Sequence, residues 1–191
     1  MVASGARRVL DVGCGTGNLA ALLSRRGLTV TGLEPDPGTA RAAVERFADD
    51  VAVTVVEAGF AGRDPRWRFD AVTLVAVLHH LPLEPTLREL RGCLAPGGRL
   101  VVVGCYREAG TGDVLAGLPA ALANPVVGLV KHPARAEAVP AHMAAPTAAP
   151  QEALREIRDA AGRELPGSRI RRRLFWRYSL VYDAPVGDSP A

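Results

Sequence analysis

An acidic residue and three closely spaced glycines lie near the start of the chain, in the stretch Val9-Leu10-Asp11-Val12-Gly13-Cys14-Gly15-Thr16-Gly17-Asn18. Residues 9–12 predict a short buried strand, and the apolar spacing after Asn18 predicts a helix. Glycines in the connecting turn let a ligand approach the backbone, and the N–H groups of the turn and helix start are expected to meet it. Because the carboxylate of Asp11 attracts a cation and repels a pyrophosphate, the turn favours a ligand with positive charge.

The glycine spacing also indicates which nucleoside ligand fits. A dinucleotide site has the pattern G-x-G-x-x-G, whereas here the third glycine stands at position 17 and position 18 is Asn. A second acid, Glu34, ends the next predicted strand, residues 28–34, and lies 17 positions beyond Gly17 (34 − 17). An α/β fold places a carboxylate at about this spacing on the two hydroxyls of a ribose. The pattern therefore disfavours an NAD oxidoreductase and favours another nucleoside ligand.

Helix and strand patterns alternate along the rest of the chain, which indicates a parallel α/β sheet. Apolar runs predict strands at residues 51–56, 69–75 and 99–104, and helical spacing predicts helices at residues 39–48, 84–94 and 151–163. Residues 168–175 and 178–182 are expected to close the sheet as a hairpin with its reversal near Trp176. The stretch Pro35-Asp36-Pro37-Gly38 is interpreted as the stop after the second strand.

Five blocks of this sequence resemble the class I S-adenosylmethionine (SAM) methyltransferases, in the order Asp11–Gly17, Glu34, Phe69-Asp70, Leu78–Leu81 and Leu94–Val103. The resemblance implies a three-layer αβα Rossmann-like fold, with a seven-stranded, mostly parallel sheet that ends in an antiparallel C-terminal hairpin. It implies the strand order 3-2-1-4-5, with strand 7 antiparallel between strands 5 and 6. Residues 1–191 are predicted to form one such domain, with an insertion or lid at 106–150 and a frayed tail at 184–191.

The same resemblance implies SAM as the cofactor and assigns residues to it. The glycine turn and Asp11 lie against the cofactor, Glu34 holds the ribose, and Glu57 and Ala58 lie near the adenine. Many relatives have a polar residue at the end of strand 4; this chain has apolar ones, so that contact is expected from backbone and apolar packing. The expected cofactor-binding residues are Asp11, Gly13, Cys14, Gly15, Thr16, Gly17, Asn18, Glu34, Pro35, Glu57, Ala58, Val75, Ala76 and Leu78.

Catalysis in such a family needs few protein groups, because the sulfonium of SAM already makes the methyl group electrophilic. An oxygen or nitrogen nucleophile gains from a general base, and imidazole titrates near neutrality. The candidate bases are His79, His80, Tyr106 and His142. No metal site is expected, because adjacent histidines on a helix do not share a face. Residues 106–150 are expected to cover the substrate pocket, with pocket residues Tyr106, His132, His142 and Met143.

Composition limits the class of protein. Of the 191 residues 48% are hydrophobic, which is enough for a core, and the formal net charge of +3 demands neither a nucleic acid nor a membrane as partner. The three cysteines are scattered, and no apolar run has the length of a membrane span. These features predict a cytoplasmic protein without disulfides, and they leave its oligomeric state open.

Three interpretations of the function stay open. Base-methylating relatives show an Asn/Asp-Pro-Pro-aromatic block after strand 4, which residues 75–78 of this chain lack, so an O, N or C nucleophile of a small molecule is favoured. Residues 171–173, three arginines, with Phe175, Trp176 and Tyr178 suit a nucleic acid, although a strand with one solvated face and core aromatics is preferred. The third interpretation is a SAM-binding scaffold that lacks catalytic groups.

Overall fold

The computed structural model describes residues 5–107, 149–174 and 176–187. Seven strands occur in these ranges: β1 (Arg8–Val12), β2 (Thr29–Glu34), β3 (Val53–Glu57), β4 (Phe69–Val75), β5 (Leu94–Cys105), β6 (Arg169–Arg172) and β7 (Arg177–Asp183). The same ranges contain four α-helices: α1 (Asn18–Ser24), α2 (Pro37–Arg46), α3 (Leu83–Gly92) and α4 (Leu154–Glu164). Two short 3₁₀ turns lie at Phe60–Gly62 and Leu78–His80. None of the helices described is long and apolar enough to cross a membrane.

The strands form one sheet in the order β3-β2-β1-β4-β5-β7-β6. Strands β1 to β5 pair in parallel, and β7 runs antiparallel between β5 and β6. This confirms the order predicted from the sequence. The order reverses between β1 and β4, and in open α/β sheets ligands bind at such a reversal, outside the carboxyl ends of the strands.

Helices cover both faces of the sheet, because the central strands are apolar on both sides. Val9 and Leu10 are both fully buried, yet they belong to different cores. Val9 packs with buried residues of α1, and Leu10 packs with buried residues of α3 and α4. The result is the three-layer arrangement expected from the sequence.

Helix α2 begins at Pro37, two residues before the predicted start at residue 39. The side chain of Asp36 caps it by accepting a hydrogen bond from the N–H of Thr39 at 2.8 Å, and Pro37 takes the first helical position, where its missing N–H costs nothing. Residues 35–38 end the second strand as predicted, since β2 ends at Glu34, but the predicted helix start was wrong because Asp-Pro here also begins the helix.

Two other predicted boundaries are wrong. Strand β5 begins at Leu94 rather than residue 99: Leu94 pairs with Phe69, the register then shifts, and pairing resumes at Arg99. Helix α4 begins at Leu154 rather than residue 151, because the carboxylate of Glu156 accepts from the N–H of Ala153 at 2.6 Å and fixes the first turn there.

The C-terminal hairpin forms as predicted, with a shorter first strand, β6, and a longer second strand, β7. Its reversal includes Trp176, which has a φ of 53° and is 37% exposed, so the expectation that this aromatic lies in the core was wrong. Tyr178 is buried as expected, and its ring lies over Gly104 of β5, where a Cβ would come within 2.6 Å of the ring. Phe175 lies outside the described residues.

Candidate cofactor-binding site

The glycine turn between β1 and α1 lies at the carboxyl edge of the sheet. Gly13, Gly15 and Gly17 all have positive φ, between 56° and 81°, which side chains disfavour. Two of them are also closely approached from behind. A Cβ on Gly13 would lie 2.3 Å from the Val77 side chain, and one on Gly17 would lie 2.2 Å from the Phe47 ring. The sequence requires glycine at these two positions for packing as well as for backbone conformation.

Several N–H groups of this turn are used within the protein, so the expectation that they are free for a ligand was wrong for Gly13, Cys14 and Gly15. The N–H groups of Gly13 and Cys14 both donate to the carbonyl of Leu33, at 2.8 and 3.0 Å. The N–H of Gly15 donates to the carboxylate of Glu34 at 2.9 Å. The turn folds back on the end of β2, and this pairing occupies three N–H groups that could otherwise contribute to a phosphate site. This arrangement accords with a ligand other than a pyrophosphate.

Glu34 is held at the carboxyl end of β2 by two backbone donors. One carboxylate oxygen accepts from Gly15 at 2.9 Å, and the other accepts from Asp36 at 3.0 Å. The residue is half-buried. Each carboxylate oxygen can accept more than one hydrogen bond, so the held carboxylate still has capacity for a pair of hydroxyls.

Asp11 lies deeper, in the middle of the β1–β4 ladder, and is 2% exposed. Its Oδ1 accepts a 2.7 Å hydrogen bond from the hydroxyl of Thr73, its neighbour on β4. Burial raises the pKa of Asp11 from 3.8 to about 6, and the bond from Thr73 partly opposes that rise. The carboxylate is therefore charged at neutral pH, although burial makes its charged form less stable than it would be in water.

The side chain of Cys14 is also buried, and it packs against β2. Its side chain is buried against Gly32, where a Cβ would lie 2.7 Å from the sulfur. Burial and then the charges of Asp11 and Glu34 raise the pKa of the thiol to about 12. The expectation for Cys14 at the cofactor therefore concerns its backbone alone.

Sequence reasoning missed Arg46, which holds the other side of the turn. Its guanidinium donates to the Thr16 carbonyl and to the Asn18 side chain, both at 2.8 Å. Arg46 stands on the last turn of α2, 28 to 30 residues away in the chain. An arginine on a solvated helix face carries no local signal of such a contact.

The residues expected near the adenine and ribose lie along the same edge. Glu57 ends β3 directly beside Glu34, and Pro35 and Ala58 follow the ends of their strands. Glu57 and Pro35 are exposed, and Ala58 is half-buried. The sheet thus brings together the acids that the sequence placed at separate strand ends.

The end of β4 forms the apolar part of this edge. Val75 is 45% exposed, and Ala76 has a φ of 58°, a conformation that is uncommon for a residue with a side chain. The N–H of Ala76 donates to the carbonyl of Val103 at 2.7 Å, which holds this strained residue against the end of β5. The side chain of Leu78 is 2% exposed and packs in the core, so the predicted contact of Leu78 with the cofactor concerns its backbone.

His79 and His80 lie in the 3₁₀ turn after β4, with ring centroids 4.1 Å apart and planes tilted by 38°. The argument that adjacent histidines face apart was therefore wrong for this turn. Burial, and then His80, lower the pKa of His79, while Glu152 opposes the shift. The Nδ1 of His79 is buried and has no hydrogen-bond partner among the described residues. Sequence reasoning missed the influence of Glu152 on His79, because Glu152 comes near this ring only when Arg107 pairs with Ala153.

Tyr106, another expected base, is 2% exposed and lies at the end of β5. Its hydroxyl accepts a 2.7 Å hydrogen bond from the Nε of Arg172. His132, His142 and Met143 lie outside the described residues, as does most of the segment expected to be a lid. In the part of the chain that the structure describes, no group of three or more His, Cys, Asp or Glu residues could hold a metal ion.

This sheet order, with a glycine turn after β1 and an acid at the end of β2, defines the SAM-dependent methyltransferases among α/β proteins. A methyltransferase-domain family model matches residues 10–100. The chain is 35% identical over 190 residues to an uncharacterized methyltransferase of Mycobacterium bovis, and the match covers 97% of this chain and 91% of the relative. The chain therefore belongs to the class I SAM-dependent methyltransferases, and SAM is the cofactor of this family.

Two other relatives match about half of the chain, and a solved structure matches most of it. A tRNA U34 carboxymethyltransferase of Methylococcus capsulatus is 40% identical over 57% of this chain and 35% of its own length. A ubiquinone biosynthesis O-methyltransferase of Bradyrhizobium diazoefficiens is 38% identical over 51% of this chain and 40% of its own length. The crystal structure of a magnesium protoporphyrin IX methyltransferase from Synechocystis with bound SAM has a TM-score of 0.57 at 18% identity, covering 92% of this chain and 69% of that one. These relatives have different acceptors.

Proposed function

We propose that this methyltransferase transfers the methyl group of SAM to an oxygen, nitrogen or carbon nucleophile of a small molecule. The observation that carries the proposal is the apolar surface at the end of β4, where the 45% exposed Val75 and the exposed Ala76 stand beside the glycine turn. Ligands of open α/β sheets bind at the carboxyl ends of the strands, so exposed apolar residues at this strand end suit an apolar molecule. The ubiquinone O-methyltransferase relative, by its name, supports the same class of acceptor.

The two acids are proposed to hold opposite parts of the cofactor. Glu34 is fixed by two backbone donors and offers its remaining acceptor capacity to the ribose hydroxyls. Asp11 attracts the positive charge of SAM through an environment from which water is excluded. The glycines, with Thr16, Asn18 and the backbone of Cys14, are proposed to line the cofactor between these acids.

Methyl transfer requires the nucleophile, the methyl carbon and the sulfur to lie nearly in line, and the protein supplies this orientation. SAM supplies the electrophilic methyl group. Among the candidates, His79 is proposed as the base, because its Nδ1 has no hydrogen-bond partner among the described residues and burial lowers its pKa, which favours the neutral imidazole. Tyr106 is the less suitable candidate, since its hydroxyl is buried and engaged by Arg172.

A nucleic-acid acceptor is the second candidate, because the β6–β7 hairpin is basic. Arg171, Arg173 and Arg177 are exposed, and no acidic residue occurs in residues 168–182. The tRNA-modifying relative supports this candidate by its name. A catalytically inactive SAM-binding scaffold is the third and predicts binding without transfer.

The three candidates are separated by incubating the protein with methyl-labelled SAM and an extract of cells, then dividing the products into small-molecule, protein and nucleic-acid fractions. Label in the small-molecule fraction is expected. Label in the nucleic-acid fraction would favour the second candidate, and Arg171→Glu with Arg177→Glu would then abolish it. If the protein binds SAM but transfers no label to any fraction, the result would support the third candidate, a SAM-binding scaffold without catalytic activity.

A further inference from the structure

Thr73 is the one side chain that donates a hydrogen bond to the carboxylate of Asp11 among the described residues. It stands opposite Asp11 in the β1–β4 register and is itself 5% exposed. Its hydroxyl donates to Oδ1 of Asp11 at 2.7 Å, and the carbonyl of Leu10 lies 3.3 Å from the same hydroxyl oxygen. A hydroxyl has one hydrogen, so Thr73 must choose between these two acceptors.

This choice couples the hydroxyl to the charge of Asp11. When Asp11 is ionised, donation to Oδ1 is favoured, because hydrogen bonds to a charged acceptor are the stronger ones. When Asp11 binds a proton, its O–H can donate to Thr73, whose hydrogen then turns to the Leu10 carbonyl. Asp11 receives no other hydrogen bond or ion pair in the described ranges, so in the ionised state Thr73 holds Oδ1 and Oδ2 keeps its full capacity to accept from a ligand.

We propose that Thr73 is a positioning residue of the cofactor site, whose hydroxyl orients Asp11 and keeps it charged, so that the pH range of SAM binding depends on it. The inference rests on the proposed role of Asp11 at the cofactor. Thr73 itself does not touch the ligand. It acts through the oxygen that it holds.

The other groups around Asp11 do not replace this hydroxyl. Gly32 of β2 lies opposite Asp11 on the other side of β1 and has no side chain. The titratable group facing Asp11 from the turn is Cys14, and Glu34 at the end of β2 acts on that thiol in turn. Neither donates a hydrogen bond to Asp11, and the Cys14 thiol is uncharged at neutral pH because its pKa is raised to about 12. His79 and His80 interact with each other and with Glu152.

The direction of the pH effect follows. Burial raises the pKa of Asp11 to about 6 even with Thr73 in place. Replacing the hydroxyl by a methyl group removes the hydrogen bond that favours the ionised form, so the pKa rises further. SAM binding, which requires the charged carboxylate, should then weaken on acidification at a higher pH than in the wild-type protein.

The test is calorimetric measurement of SAM affinity between pH 5.5 and 9 for the wild-type protein, Thr73→Val and Thr73→Ser. Valine keeps the shape of threonine, and serine keeps the hydroxyl. The titrations of SAM itself are common to all variants and cancel in the ratio of affinities. We expect Thr73→Val to bind at least tenfold more weakly at pH 6.5 and within threefold at pH 9, and Thr73→Ser to follow the wild-type curve.

The alternatives give different curves. A loss in Thr73→Val of the same size at every pH, or an identical pH midpoint, would overturn the inference and leave a structural role. An Asp11→Asn variant that binds SAM as tightly as the wild-type protein would instead refute the proposed role of Asp11. Adding Thr73→Val to Asp11→Asn should change no pH dependence, and circular dichroism of each variant checks that it is folded.

Discussion

Asp11 and Glu34 are carboxylates at the ends of neighbouring strands, yet the protein treats them differently. Glu34 is half-buried and receives two backbone hydrogen bonds, at 2.9 and 3.0 Å. Asp11 is 2% exposed and receives one hydrogen bond from a side chain. The first arrangement fixes a geometry, as ribose recognition requires. The second preserves a charge in a dry environment, where its attraction for a cation is strong.

Glu34→Ala should weaken SAM binding by about 1–3 kcal/mol, the usual cost of losing a hydrogen bond to a charged group and leaving its partners unpaired. Calorimetric titration with SAM measures this. Glu45→Ala on the exposed face of α2 is the matched control and should bind normally. Unchanged affinity in Glu34→Ala would remove this acid from the site.

His79→Gln should lower the transfer rate by about 10²–10⁴-fold if His79 is the base. At saturating SAM, where the protonation of Asp11 does not limit the rate, the wild-type rate should fall on acidification only below the ordinary pKa of histidine, because burial lowers the pKa of His79. The pH–rate profile measures this, and the variant should lose that acidic limb. His80→Gln separates the two adjacent rings, and losses under tenfold in both variants would mean that transfer needs no imidazole.

At the scale of elements, the glycine turn is built from both of its neighbours. The end of β2 accepts hydrogen bonds from three N–H groups of the turn. The end of α2 contacts the turn through the Phe47 ring and the Arg46 guanidinium. The turn is therefore fixed before a ligand binds. Its three glycines all have positive φ, but only Gly13 and Gly17 have neighbours that would clash with a Cβ. Substitutions at these positions can therefore distinguish the effect of backbone strain from that of a steric clash.

Gly17→Ala should destabilise the protein more than Gly15→Ala. Both substitutions place a side chain at positive φ, which costs about 1–2 kcal/mol. A Cβ at Gly17 also meets the Phe47 ring at 2.2 Å, whereas nothing lies within 4 Å of one at Gly15. Overpacking of this kind adds about 1–3 kcal/mol. Urea unfolding measures the difference, and equal losses would show that Phe47 moves aside without cost.

At the scale of the whole molecule, the charge of Asp11 opposes folding. Its pKa in the folded protein is about 6, against an ordinary value of 3.8. Between these values the unfolded chain ionises while the folded protein keeps the proton, so the free energy of unfolding falls as pH rises, by about 3 kcal/mol in total. Above pH 6 both states are charged, and the loss is complete.

Asp11→Asn removes this cost, because the amide does not ionise and can still accept from Thr73. The stability of the variant relative to wild type should rise by up to about 3 kcal/mol between pH 4 and pH 6.5 and then level off. Urea unfolding at several pH values measures it. Asp49→Asn, at an exposed position, is the control. A difference that does not change with pH would mean that Asp11 titrates normally in the folded protein.

Much of the fold follows from the sequence, because it depends on local patterns. Apolar runs and glycine spacing lie within a few residues of each other, and they predicted the strands, the turn, and the acids Asp11 and Glu34 at strand ends. Boundaries such as those of α2 and β5 were wrong where a capping side chain or a register shift decides them.

By itself, then, the sequence determined the family, the strand order, the cofactor and the acids at the strand ends. Only the tertiary structure decided which groups control those acids and the turn. Thr73 meets Asp11 from 62 residues away, and Arg46 meets Thr16 from 30. Neither contact has a local pattern, because each arises when the sheet aligns distant strands and a helix returns over the turn. Asp11 is buried with one hydroxyl as its hydrogen-bond partner only in the folded chain. This burial destabilises its charge and also strengthens its attraction for a cation.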